Sequence, residues 1–314
     1  MGRLMVAAMK TSGILCALLS LPVFALAEPV RFSAMGCGPY KPADEVAMRH
    51  HIAQENLAEK RSAFLVHLGD INTGTLAKSG MLGEDRYASI ATWLTAGNQI
   101  PTYIVPGDNE WNDRPNPDVG WIYWMKHLWK LEEKFEVPWK TERQDDRPEN
   151  FSFVHGGVLF IGLNVVGGRV HDPVEWATRF EQNNDWVAAQ YAKHKEAVRA
   201  AVVFAQANVV GQGKPKTAVN LLFKPFTSRF ANLSADFGKP VLFVHADGHN
   251  WINDRPWKGA PNVTRVQVDL IQAKFPPVQV TVKEEPGEDG KIFAFDRRLK
   301  SEAWTKTKTK TKKG

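Results

Sequence analysis

The chain has 314 residues, of which 43% are hydrophobic and 24% charged, and carries a formal net charge of +6. That balance is ordinary for a globular protein, and the length suits one large core or two small ones. The charge excludes less than it suggests. Arg3, Lys10 and the terminal lysines 306, 308, 310, 312 and 313 supply seven positives, so the body is nearly neutral and offers no basic groove for nucleic acid.

Residues 1–27 read as a secretory signal peptide. Arg3 and Lys10 form a positive start, 13–27 an apolar core, and Ala25-Leu26-Ala27 a cleavage signal ahead of Glu28. The apolar run is about 15 residues, short of the roughly 20 that span a bilayer, and no later segment is long and apolar enough to do so. Leu15 before Cys16 argues against a lipoprotein signal. The protein is therefore expected to be secreted or periplasmic. Cleavage leaves one cysteine, Cys37, so the mature chain has no internal disulfide. Cys37 is a ligand, a reactive thiol or a buried side chain.

From residue 28 onward short apolar runs recur, each closed by glycine or polar residues. They cover 30–35, 63–68, 101–105, 157–163, 201–204 and 241–244. Runs of this length and β-branched content predict buried strands. Helical spacing between them, over 44–60, 84–96 and 184–200, predicts alternating strands and helices around a largely parallel sheet region. The segment 111–150 holds Trp111, Trp121, Trp124, Trp129 and Trp139 and reads as an insertion with a helix near 122–135. Beyond Trp251 the runs 263–268 and 278–282 alternate, which predicts antiparallel strands with one polar face; 291–295 adds a third. No repeat or linker divides residues 28–300. The Lys/Thr tail, 301–314, reads as disordered.

Ligands of open α/β sheets sit beyond the carboxyl ends of strands. The segments there are Gly36-Cys37-Gly38-Pro39-Tyr40, Gly69-Asp70-Ile71-Asn72, Gly107-Asp108-Asn109-Glu110, Gln206-Ala207-Asn208 and His245-Ala246-Asp247-Gly248-His249. A single Gly-Asp pair after a strand is usually a turn or a helix cap. Two of them with an H-x-D-x-H cluster point instead to carboxylates and imidazoles gathered on one face. Such a set needs a cation or shared protons to be stable.

In order and spacing these segments resemble the calcineurin-like metallophosphoesterases, whose members carry D-x-H, G-D, G-N-H-D/E, a strand-ending histidine and G-H-x-H. The string Gly107-Asp108-Asn109-Glu110-Trp111, with 148–150 and 163–167, is similar to a bacterial branch of that superfamily. The resemblance implies a four-layer α/β/β/α sandwich, two mixed sheets flanked by helices. It also implies one or two divalent metal ions and a small phosphorylated substrate.

The departures are as informative. Cys37 stands in place of the first aspartate and Pro39 in place of its histidine. Asp108 replaces the metal-binding asparagine and Asn109 the proton-donating histidine. Gln206 falls where the fourth-motif histidine belongs, and Asp247 takes the place of the fifth motif's first histidine, while His249 keeps the second. Asp70, Asp108, Gln206, Asp247 and His249 then make an oxygen-rich set suited to Mn²⁺, Mg²⁺ or Ca²⁺ before Fe or Zn, with soft Cys37 pulling the other way. One well-occupied ion is expected, held chiefly by Asp70 and Asp247. Asn109 would contact a substrate oxygen, and His245, expected on the same face as Asp247, would donate a proton. Asn72 and Glu110 are expected behind the ligands. Two functions follow: an exported metal-dependent phosphoesterase with a degenerate site, or a non-catalytic exported binding protein that keeps the fold.

Overall fold

Val158-Leu159-Phe160-Ile161 has no polar face, so it is stable only where both sides of a strand are covered. That requirement recurs along the chain and sets the architecture. The structure, a computed structural model, describes residues 1–2, 28–211 and 221–305; the signal peptide read at 3–27 and the tail from 306 lie outside the described residues.

The first half runs β1 (Val30–Met35), α1 (Pro42–Leu57), β2 (Leu65–His67), α2 (Gly74–Ser79), α3 (Glu84–Thr95), β3 (Thr102–Ile104) and α4 (Pro117–His127). A short 3₁₀ turn, Leu131–Lys134, leads to β4 (Glu142–Arg143), β5 (Phe151–His155) and β6 (Val158–Gly162). Then come α5 (Pro173–His194), β7 (Ala200–Phe204), α6 (Lys224–Phe237), β8 (Val241–His245), β9 (Ile252–Asp254) and β10 (Val263–Gln267). The described chain closes with β11 (Val278–Val282), β12 (Phe293–Asp296) and α7 (Glu302–Thr305). No helix among the described residues is long and apolar enough to cross a membrane.

Two mixed sheets result, one ordered β12-β11-β1-β2-β3 and the other β4-β5-β6-β7-β8-β10-β9. In the first, β1, β2 and β3 are parallel and β11 and β12 antiparallel. In the second, β6, β7, β8 and β10 are parallel, with antiparallel strands at both edges. Alternate residues divide between layers. Leu242 and Val244 of β8 meet Phe32, Phe64 and Val66 between the sheets, while Val241 and Phe243 turn to α5 and α6. Leu65 and Ile104 cover the other outer face against α1 and α3. This is the expected four-layer α/β/β/α arrangement. Because β1, β2, β3, β7 and β8 run in parallel sets, their carboxyl ends can share one rim.

Several expectations are corrected. The helix expected at 184–200 begins at Pro173, where the Asp172 side chain accepts the N–H groups of Val174 and Glu175. The helix expected at 122–135 is α4, which starts at Pro117 behind the Asn116 cap and stops before Lys130, whose φ is 56°. Helix α6 and the strand β5 carried no expectation. Strand β10 pairs parallel with β8, and its polar residues are not exposed: Arg265 is buried against Asp254. The tryptophans 111, 121 and 124 pack together, with the Arg179 guanidinium over Trp111, whereas Trp139 joins the Phe64 and Phe153 rings.

Candidate metal centre

Four strand-end residues adopt left-handed backbone: Cys37 at φ 54°, Asp70 at 62°, Asp247 at 67° and His249 at 64°. For a residue with a Cβ this costs on the order of 1–3 kcal/mol each, and it is kept only where surroundings hold it. Here the effect is to turn each side chain back over the strand ends. Two glycines let the turns meet. A Cβ on Gly36 would lie 2.8 Å from the Ala246 Cβ, and one on Gly69 would lie 2.6 Å from the Gly107 nitrogen. The turns after β2 and β3 therefore touch through backbone, and the turn after β1 packs directly on the Ala246 methyl after β8.

The contact brings donor atoms of Cys37, Asp70 and His249 within 4.8 Å of one another. The Cys37 thiol donates to Asp70 Oδ2 at 3.5 Å and accepts the Asp247 N–H at 2.9 Å. Asp247 Oδ2 accepts the Asn208 N–H at 3.0 Å. Asp108 and Asp247 close on Gly167 from two sides: a Cβ there would lie 2.9 and 3.2 Å from their Oδ2 atoms. Asp70 is 2% exposed and Asp108 7%, whereas His249 opens to solvent.

Burial dominates the electrostatics. It pushes Asp70 up to about 7, with the Glu110 and Asp247 carboxylates adding to it. It raises Asp108 well above the usual carboxylate range, with the charge of Asp70 next. Burial likewise raises Asp247 and lifts Glu110 to about 7, and it raises the Cys37 thiol, with Asp70 and Asp247 adding. Nearby basic side chains are engaged elsewhere: Lys78 with Asp113, Arg86 with Glu45 and Arg265 with Asp254. A buried acidic set of this kind is stable with protons or with a cation, and the donors present fit a cation. Asn72 points the same way. Its side chain is buried and neither of its polar atoms has a protein partner.

Gln206 does not act as the expected oxygen ligand. Its Oε1 accepts the Gly167 N–H at 2.7 Å, which turns Nε2 towards Asp70 Oδ2 at 3.0 Å and Asp108 Oδ1 at 3.3 Å. An amide nitrogen that donates to two carboxylates has no lone pair for a metal. Asn109 lies at the site, its N–H directed to Asp70 Oδ1 at 3.4 Å and its amide donating to the Asn72 carbonyl at 2.9 Å.

His245 is a clear correction. Strand β8 ends with it and Asp247 is left-handed, so the two do not share a face. The ring lies 5.8 Å from that of Phe243, on the helix side of the sheet, with Nδ1 3.0 Å from the Ala246 carbonyl oxygen. Burial, with the Arg265 charge next, lowers its pKa to about 3, so it is neutral and no proton donor. His67 is buried with Nε2 2.9 Å from the Gly38 carbonyl oxygen. The residue that sequence reasoning passed over is Tyr40, whose hydroxyl lies 3.3 Å from His249 Nε2. Its place in the first strand-end segment was the available signal.

No family model matches the chain, and no curated protein sequence is significantly similar to it. Solved structures do match. A dimetal phosphatase from Danio rerio is 11% identical, with a TM-score of 0.57 over 82% of this chain and 94% of that one. The chain shares its fold with that protein. The 5'-nucleotidase from Candida albicans (11% identity, 88% of this chain and 53% of that one) and GAP50, the anchor in the inner membrane complex of Plasmodium (10%, 86% and 88%), each align at a TM-score of 0.47. The two mixed sheets flanked by helices thus match the fold of that phosphatase.

Proposed function

We propose that the chain is an exported, metal-dependent phosphoesterase acting on a small phosphorylated substrate. The observation that carries this reading is the convergence of Cys37, Asp70 and His249 on one rim, with Asp108 and Asp247 beside them, in a fold shared with a dimetal phosphatase. Asp70, His249 and Cys37 would hold the ion, with Asp247 adjacent. A divalent cation bound there supplies positive charge to phosphoryl oxygens and makes water a better nucleophile near neutral pH.

The protein's own groups do the rest. His249, open to solvent, marks the side from which a phosphate ester enters. The Asn72 amide, buried without a protein partner, leaves about 1–3 kcal/mol unrecovered unless it meets a polar ligand, and a phosphoryl oxygen meets that need. Asn109 orients this corner through its bond to the Asn72 carbonyl but carries no proton that it can give up near neutral pH. Protonation of the leaving group is therefore left to water, and the enzyme favours esters with good leaving groups.

Hydrolysis of p-nitrophenyl phosphate and its diester, with added Mn²⁺ or Zn²⁺, tests the reading against Asp70→Ala and Asp247→Ala. Activity lost in both variants supports it. Equal residual rates in all three proteins favour the non-catalytic binding protein. Export rests on residues 3–27 alone. Protein recovered outside the cytoplasm is expected to begin at Glu28, and an N-terminus still at Met1 would reject that part.

A further inference from the structure

Asp70 meets two sets of neighbours on the rim, and the side chains treat them differently. Between Asp70 and Asp108 the space is bridged by the Gln206 amide, which donates to both carboxylates and is locked in that sense by the Gly167 N–H. At the same Asp70 carboxylate, whose Oδ2 also accepts the Cys37 thiol hydrogen, donors of three chemical kinds approach one another: the Cys37 sulfur, an Asp70 oxygen and a His249 nitrogen. A zinc-sized ion with bonds of about 2.0–2.3 Å in tetrahedral array sets its donors roughly 3.3–3.8 Å apart. The observed limit of 4.8 Å is thus within a small side-chain adjustment of a closed site. Tyr40 reaches into the same cluster, its hydroxyl 3.3 Å from His249 Nε2 and paired also with the Cys37 side chain, its ring edge-on to the imidazole at 5.7 Å.

We propose that this chain holds a single thiophilic divalent cation, zinc by donor class, on Cys37, Asp70 and His249. Tyr40 acts as the positioning residue for His249, and the hard two-ion arrangement is closed off by Gln206. Three protein ligands with one open side match the donor count of catalytic zinc sites, and a thiolate selects zinc over Mg²⁺ or Ca²⁺. The proposal deepens the function given above and rests on its reading of this face as a cation site.

Cobalt substitution tests it without an activity assay. Chelator-stripped protein is titrated with Co²⁺, and a thiolate ligand shows as intense near-ultraviolet sulfur-to-cobalt absorption. The expected result is one equivalent bound with that band, displaced by Zn²⁺ and not by excess Mg²⁺. Cys37→Ser is expected to lose the band, and Cys37→Ala to do the same if the serine variant folds poorly by circular dichroism. Tyr40→Phe is expected to keep the band while affinity falls roughly 10- to 100-fold, the range seen when the outer partner of a metal-bound histidine is removed. Co²⁺ bound without the band, or undiminished Zn²⁺ affinity in Cys37→Ser, overturns the proposal but leaves a hydrolase built on oxygen ligands standing. The band without any ester hydrolysis supports the metal centre and removes the phosphoesterase reading instead. No ion bound in any form overturns both.

Discussion

The Glu110 carboxylate accepts the backbone N–H of Asp70 at 3.1 Å across a separation of 40 residues, and so ties the turn after β2 to the turn after β3. The same carboxylate accepts the N–H groups of Gly107 at 2.7 Å and Ile71 at 3.2 Å. Three otherwise orphaned backbone donors are satisfied by one side chain, which is how Asp70 is held in its left-handed conformation beneath the candidate metal centre.

Glu110→Gln replaces one of those acceptor oxygens with an amide that points hydrogens at N–H groups. Hydrogen bonds to a charged group contribute about 1.5–3 kcal/mol each, so a loss of about 2–4 kcal/mol is expected. Urea denaturation above pH 8, where Glu110 is ionised, measures it. A variant as stable as wild type would show that the turns are held by something other than this carboxylate.

Gln206→Glu removes the hydrogen-bond donors between Asp70 and Asp108 and puts a ligand in their place. Metal content by elemental analysis after dialysis against Zn²⁺ or Mn²⁺ is expected to rise from one ion per chain towards two. Unchanged content would mean that the amide does not decide the second position.

Leaving-group chemistry should dominate turnover. A positioned general acid contributes 10²- to 10⁴-fold, and neither Asn109 nor the inward-turned His245 can supply one. The rate on p-nitrophenyl phosphate is expected to exceed that on an alkyl phosphate by more than about 100-fold beyond their difference in water. Similar ratios in enzyme and in water would reveal a proton donor elsewhere on the rim.

His51 gives the protein a pH-dependent stability of its own. Its Nε2 lies 2.9 Å from the Gln272 carbonyl oxygen, and burial, with the charges of His50 and Arg298 adding, lowers its pKa from 6.5 to about 4. The unfolded chain takes up a proton near pH 6.5 while the folded protein does not until about pH 4. Stability is therefore full above pH 6.5 and falls as pH drops towards 4, by about 3 kcal/mol from this residue. The stability gap between wild type and His51→Gln should narrow by about that amount across the window. A constant gap would count against a buried neutral imidazole.

Much of this protein was legible as sequence. Strands such as 157–163 and 241–244 announce themselves because a run with no polar face is soluble only when covered twice. The strand-end segments were legible for the same reason: polar residues abruptly closing a buried run have few places to go. Helix limits were less so. Pro173 and Asp172 start α5 eleven residues ahead of the expected 184, and Lys130 turns the chain after α4, because capping competes locally with a spacing pattern that looks continuous.

The sequence by itself determined the buried strands, the polar segments that close them and the residue types collected there, since these follow from hydrophobic periodicity, while the four-layer order was implied only by the family resemblance. Only the tertiary structure decided what those residues do. An amide has two ends, and the N–H of Gly167 turned Gln206 into a donor; a left-handed turn at Asp247 left His245 facing the helices; and the hydrogen bond from the Cys37 N–H to the Gly69 carbonyl carried Cys37 beside Asp70. Each outcome depends on a contact between segments far apart in the chain, where orientation at the scale of one bond separates a ligand from a hydrogen-bond donor.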